Sequence, residues 1–130
     1  MLSSADGRRW TSINTQVSNA LYDVAYSGSK YVVTGSEGTI LVGESINNLS
    51  KSSAATSTDL YAVSWLGGRF VIGGENGVLL HSQLAAEWDV QLPVEGVSSP
   101  FWAFSPNQDQ TFIKAVGSNG SIQNIRFILE

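Results

Sequence analysis

An all-β chain built from repeated four-stranded units is the fold this sequence predicts, and three observations carry the prediction. The first is a gapless internal repeat. The runs Leu21 to Tyr26 and Lys30 to Leu41 return 39 positions later as Leu60 to Trp65 and Arg69 to Leu80, with mild exchanges such as Tyr31 to Phe70 and Val33 to Ile72. The second is turn chemistry. Gly35-x-x-Gly38, Gly74-x-x-Gly77 and Gly117-x-x-Gly120 separate short Val, Ile, Leu and aromatic runs, and glycine or Asn-Gly at such sites supplies the positive φ that tight hairpins require. The third is the lack of any apolar stripe at the 3.6-residue period, so helices should be few.

The elements follow in chain order. Trp10-Thr11-Ser12-Ile13 reads as an N-terminal strand within 9–14, and the repeat units cover about 15–53, 54–92 and 93–130. Within the first two units, strands start at Leu21 and Leu60, continue through Tyr31 and Phe70, cross the Gly-x-x-Gly turns, and close with fourth strands near Leu49 and Trp88. Trp10, Leu49 and Trp88 lead their strands at the same 39-residue interval. The third copy is more divergent. Phe101-Trp102-Ala103-Phe104 stands for its first strand and Ala115 to Ile122 for its hairpin, with extra residues in the loop from Pro106 to Gln110 and Lys114 where Val32 and Val71 stand before. A terminal repeat with a polar face is a common departure.

Composition bounds what such a chain can do. With 130 residues, 42% of them hydrophobic and 14% charged, residues 1–130 form a single domain with a substantial core. No apolar run reaches the roughly 20 residues of a membrane-spanning helix, so no membrane insertion is expected. A net charge of −4 offers no basic stripe for a nucleic acid. Zero cysteines exclude disulfides, thiolate nucleophiles and cysteine metal sites. Met1 to Asp6 has neither a basic nor an apolar run, which leads to the expectation of cytoplasmic synthesis without a signal peptide.

Four-stranded antiparallel units of about 40 residues are the blades of β-propellers. Propellers usually close with about four to eight blades, and this chain supplies three. Closure by homodimerisation into a six-bladed ring, with the Trp10 strand completing the partner's last blade, is the expected arrangement; an open three-blade stack docked on a larger partner is the alternative.

Ser4-Ala5-Asp6-Gly7-Arg8-Arg9-Trp10 resembles a shortened Asp-box, the turn of bacterial neuraminidase (BNR) repeats, with Ser4, Asp6, Gly7 and Trp10 at the matching positions. The pattern from Tyr31 to Leu41 is similar to repeats of photosystem II stability and assembly factors and of bacterial and phage repeat proteins. The resemblance implies a structural role for the box, its Asp accepting local backbone donors and its Trp packing between sheets. Only the first box keeps Asp and Gly; Ser45 and Ile46, then Leu84 and Ala85, replace them later.

Catalysis finds little support. His81 is the single histidine and has no ligand-spaced partner, no Gly-x-Ser-x-Gly elbow exists, and Gly-Lys-Ser/Thr is absent. No cofactor or metal is expected. The family's sialidases need an arginine cluster, which Arg8, Arg9, Arg69 and Arg126 do not assemble, and Glu37 and Glu75 read as solvated turn charges. Binding is better supported. The loops 14–20, 53–59 and 94–100 should gather on one face, beside Tyr22 with Asp23, Tyr61 with Asp59, and Phe101 with Trp102. These pairs suit sugar rings or a protein surface, with interblade packing as the alternative use of the rings. The expected function is a non-enzymatic, self-associating structural or interaction module, by analogy a virion or tail-associated component. A glycan-binding lectin is the alternative; a glycosidase or sialidase-like enzyme and a photosystem assembly factor rank lower.

Overall fold

A computed structural model describes residues 1–52, 56–83, 85, 87–91, 100–108, 112–120 and 122–126. These residues form antiparallel sheets joined in chain order. The N-terminal hairpin pairs β1 (Leu2–Ser3) with β2 (Thr11–Ser12). Sheet I holds β3 (Leu21–Tyr26), β4 (Tyr31–Gly35), β5 (Ile40–Ser45) and β6 (Asn48–Lys51). Sheet II holds β7 (Leu60–Leu66), β8 (Arg69–Gly74), β9 (Leu79–Ser82) and β10 (Asp89–Gln91). Sheet III holds β11 (Phe101–Pro106), β12 (Phe112–Gly117) and β13 (Ile122–Arg126). Among the described residues the only helical segments are three-residue 3-10 turns, so the fold is all-β. Residues 53–55 and 94–99 of the two later loops, Leu84, Leu92, and 109–110 of the inserted loop lie outside the described residues.

The hairpin turns form for a local reason. Glu37 (φ 56°) and Gly38 (φ 73°), then Asn76 (φ 58°) and Gly77 (φ 73°), place two left-handed residues in succession, the conformation whose twist matches the flanking strands. The leading glycines serve differently. Gly35 and Gly74 are extended, and a Cβ on either would collide with the carbonyl of Ala20 or Asp59. Those carbonyls accept the Ser36 N–H at 2.9 Å and the Glu75 N–H at 3.0 Å, tying each first strand to the following turn.

The N-terminal strand differs from expectation, because it is not alone. The pairing of Leu2 with Ser12 and Ser3 with Thr11 repeats, 39 positions earlier, that of Leu41 with Lys51 and Val42 with Ser50, and Leu80 with Val90 continues the series. The hairpin is therefore the third-and-fourth-strand half of a further repeat. Two short, polar-edged segments were too brief to mark β1 by hydrophobicity alone.

Sheet II lies between the others. On one face Val63, Phe70, Ile72 and Leu80 pack with Val32 and Ile40 of sheet I, and Trp88 closes that cluster, its Nε1 donating to Ser52 Oγ at 3.2 Å. On the other face Leu66, Val71 and Leu79 pack with Phe101, Ile113 and Ala115 of sheet III. The alternation along β8 decides this division, since successive strand residues point to opposite faces. Gly73 also faces sheet III: a Cβ there would lie 2.8 Å from Cβ of Phe101 and would clash with the Phe104 ring.

One irregularity recurs in all three sheets. The register shifts between Leu21 and Asp23, between Leu60 and Ala62, and between Phe101 and Ala103, opposite Gly35, Gly74 and Gly117. A β-bulge inserts one residue and reverses the side-chain alternation beyond it. That is how Leu60 and Val63, three apart, join one core cluster and Phe101 and Phe104 join another.

Candidate functional site

The three inserted residues are Tyr22, Tyr61 and Trp102, equivalent positions on the first strand of each sheet. Bulges re-aim side chains, and here they turn aromatic rings out of the core. Tyr22 and Trp102 are exposed and Tyr61 is half-buried. The Tyr22 and Tyr61 rings meet at 5.2 Å between centroids, tilted by 51°. β7 packs beside both β3 and β11, so the three first strands lie side by side and carry these aromatics along one line of the fold.

Polar groups flank the tyrosines. Tyr61 Oη donates to Glu75 Oε2 at 2.7 Å, and Asn19 Nδ2 donates to Glu37 Oε2 at 3.0 Å. Both turn carboxylates thus accept side-chain donors, where the sequence suggested solvated charge. The hydrogen bond to Glu75, then partial burial and the negative charges of Glu75 and Asp59, pushes the Tyr61 phenol up to about 12. The neutral phenol is the form the fold favours. Its contribution to stability is present below the ordinary tyrosine range near 10 and is lost as pH rises through about 12. Tyr61 should therefore give a late step in a phenolate-absorbance titration, and Glu75→Gln should bring that step down. A late step that survives Tyr61→Phe would overturn the assignment.

The other three sequence candidates serve the scaffold. Asp23 accepts the Val24 N–H through Oδ1 at 2.9 Å and, through Oδ2, the Val63 N–H of sheet II at 3.0 Å, bridging two sheets. Asp59 Oδ1 accepts the Glu37 N–H at 2.9 Å. Phe101 is buried in the core between sheets II and III, so of its pair only Trp102 is presented. The bulge separates their fates. The sequence signal for it was the apolar spacing of three in Leu21/Val24, Leu60/Val63 and Phe101/Phe104, which the period of two of a plain strand does not produce.

The Asp-box positions form a self-contained turn between β1 and β2. Ser4 Oγ accepts the Gly7 N–H at 2.8 Å, and Asp6 Oδ1 accepts the Arg8 and Arg9 N–H groups at 2.8 and 3.0 Å. The Arg9 and Arg8 amides hold the Asp6 carboxyl below the usual carboxylate range. Gly7 is left-handed at φ 74°. Trp10 departs from what the resemblance implies: it is 60% exposed, whereas its repeat equivalent Trp88 is 9% exposed between sheets I and II. Trp88 has a preceding sheet to pack on, and Trp10 has none among the described residues.

A cavity of about 530 Å³ opens on the outer face of sheet I, lined by apolar Leu21, Val24, Val33, Met1, Leu2 and Val17 and, to a similar extent, by Thr15, Asn19, Tyr22 and Asp23. His81 lies apart, its Nδ1 3.0 Å from Arg69 Nη1. Among the described residues no three potential metal ligands cluster, and no helix is long and apolar enough to cross a membrane.

No protein-family model and no curated protein matches this chain. Among solved structures, one similar chain is the computationally designed Ika4 protein, at 12% identity and a TM-score of 0.48, covering 85% of this chain and 92% of that one.

Proposed function

We propose that the chain is a non-catalytic structural or interaction module whose sheets act as propeller blades and which closes with a second copy into a six-bladed ring. The observation that carries this reading is the contrast between internal and terminal faces. Val63 and Phe70 are buried against sheet I, while their equivalents on the outer face of sheet I include the exposed Val24 and the half-buried Tyr31. At the other end, Val116 and Ile122 of sheet III are exposed in the same way. Apolar faces of this kind mark interaction surfaces. Light scattering at several concentrations tests the reading: a mass of twice the chain supports it, and a monomer throughout would sink it. The resemblance of the pattern from Tyr31 to Leu41 to phage repeat proteins is the ground for adding a place in a virion or tail assembly to this proposal.

The bulge aromatics favour one second reading, a glycan-binding surface. Ring faces beside hydroxyls and carboxylates suit sugar rings. Binding on a glycan array that is lost in Tyr22→Ala and Trp102→Ala, with the mass unchanged, would support it; an array blank at high protein concentration would remove it.

A further inference from the structure

The seam between sheets II and III sets one small residue against two large ones, and the open end faces carry the equivalent positions. Between sheets II and III, Gly73 faces Phe101 and Phe104. The matched pairings of Leu60 with Gly74 and Phe101 with Gly117, and of Ala62 with Gly73 and Ala103 with Val116, show that Val116 is the sheet III equivalent of Gly73. By the same bulge register, Leu21 and Val24 of sheet I are the equivalents of Phe101 and Phe104. Inside the chain the smallest residue meets two of the largest. At its two open faces a valine is offered at one end and a leucine with a valine at the other, a combination of comparable total volume, and volume-matched exchanges are the ones packed cores accept.

Both halves of that seam are open. Val24 is 47% and Val116 41% exposed, and Leu21 and Val24 line the 530 Å³ cavity. Because β1 and β2 repeat the register of β5 and β6, the hairpin stands for the third and fourth strands of a unit. The cavity beside it corresponds to the first and second.

We propose that sheet III of a second copy packs on the outer face of sheet I, setting Val116 of that copy against Leu21 and Val24 as Gly73 is set against Phe101 and Phe104. In that arrangement β13 of the second copy, paired with its β12, takes the third-strand place that β1 fills in the single chain, so β1 gives way and β2 stays as the fourth strand. This rests on the self-associating reading above and names its seam. The interface continues the stacking already present between sheets I, II and III. Charge fits as well. Lys114 holds the position of Val71, and Val71 packs in the cluster that contains Ile113, the equivalent of Tyr31. In the docked pair Lys114 meets Tyr31, whose ring stacks on Tyr26 at 4.4 Å, and an ammonium over tyrosine faces is attracted by their π-systems. Trp10 gains the neighbouring sheet that Trp88 already has.

The chain has zero cysteines, which makes the test direct. Val24→Cys and Val116→Cys are made singly, mixed and oxidised, and a disulfide-linked heterodimer is expected in preference to either homodimer. Val116→Asp, a change at an exposed position, should raise the dimer dissociation constant at least about tenfold while leaving circular dichroism and the thermal transition of the dilute protein unchanged. A dimer by light scattering with no Val24–Val116 cross-link, or one indifferent to Val116→Asp, overturns the seam and leaves self-association standing. A monomer at every concentration overturns both.

Discussion

Phe70→Ala is expected to destabilise the protein by about 3–5 kcal/mol, the range for emptying a fully packed aromatic site. Phe70 is 1% exposed at the centre of the seam between sheets I and II. Its ring centroid lies 4.8 Å from that of Trp65, in edge contact, and 6.5 Å from that of Trp88. Removing it leaves a void flanked by two indoles, Val32 and Ile40, held on β-strands that cannot easily collapse inward. Against a total stability of roughly 5–15 kcal/mol, the melting temperature should fall by about 10–20 °C, and tryptophan emission of the native state should shift as both indoles lose a neighbour. Tyr31→Ala, at the equivalent position on the outer face of sheet I, should cost far less in dilute protein. Equal losses at the two positions would refute the layered core described above.

The second large effect comes from single-residue deletions in β7. Deleting Ser64 should abolish the native fold or weaken it by about 3 kcal/mol or more, because Val63 and Trp65 would become neighbours and one would have to leave the cluster they share. Deleting Tyr61 should be tolerated. It is the inserted residue of the bulge, and without it Leu60 and Ala62 pair in ordinary succession with Gly74 and Gly73, while Leu60 and Val63 keep their common face. Thermal unfolding of the two deletion variants decides the matter: equal damage would mean that the bulge does not set the alternation.

Much of this architecture was legible because the repeat wrote it three times. The turns at Gly38 and Gly77 needed left-handed residues, and the sequence offered glycine after Glu37 and Asn76. The fourth strands at Asn48–Lys51 and Asp89–Gln91 followed from the even spacing of Leu49 and Trp88. The bulges were not legible in the same way. The spacing of three from Leu21 to Val24 hints that the alternation breaks but does not say which residue is inserted; the glycines opposite, with the Ala20 and Asp59 carbonyls close against them, mark the place. That insertion divided the candidate site. Tyr22, Tyr61 and Trp102 are turned outward, Phe101 is kept inside, and the carboxylates of Asp23 and Asp59 are taken up by backbone amides. β1 was missed because two residues cannot show a period, although Met1-Leu2-Ser3 sits at the repeat interval from Ile40-Leu41-Val42.

The glycine at position 73, facing Phe101 and Phe104, also bears on how a chain of near-copies finds its own order while collapsing. Sheets so alike in register could stack in several wrong sequences, and hydrophobicity alone would reward each of them. Side-chain size works as a label on every face. If the two phenylalanines met Val116, or Thr34, which holds the place of Gly73 in sheet I, the fit would be overfilled; if Gly73 met Leu60 or Leu21, it would be left hollow. Overfilling and hollowing each cost on the order of 1–3 kcal/mol or more, enough to sort the stack before any loop length is consulted.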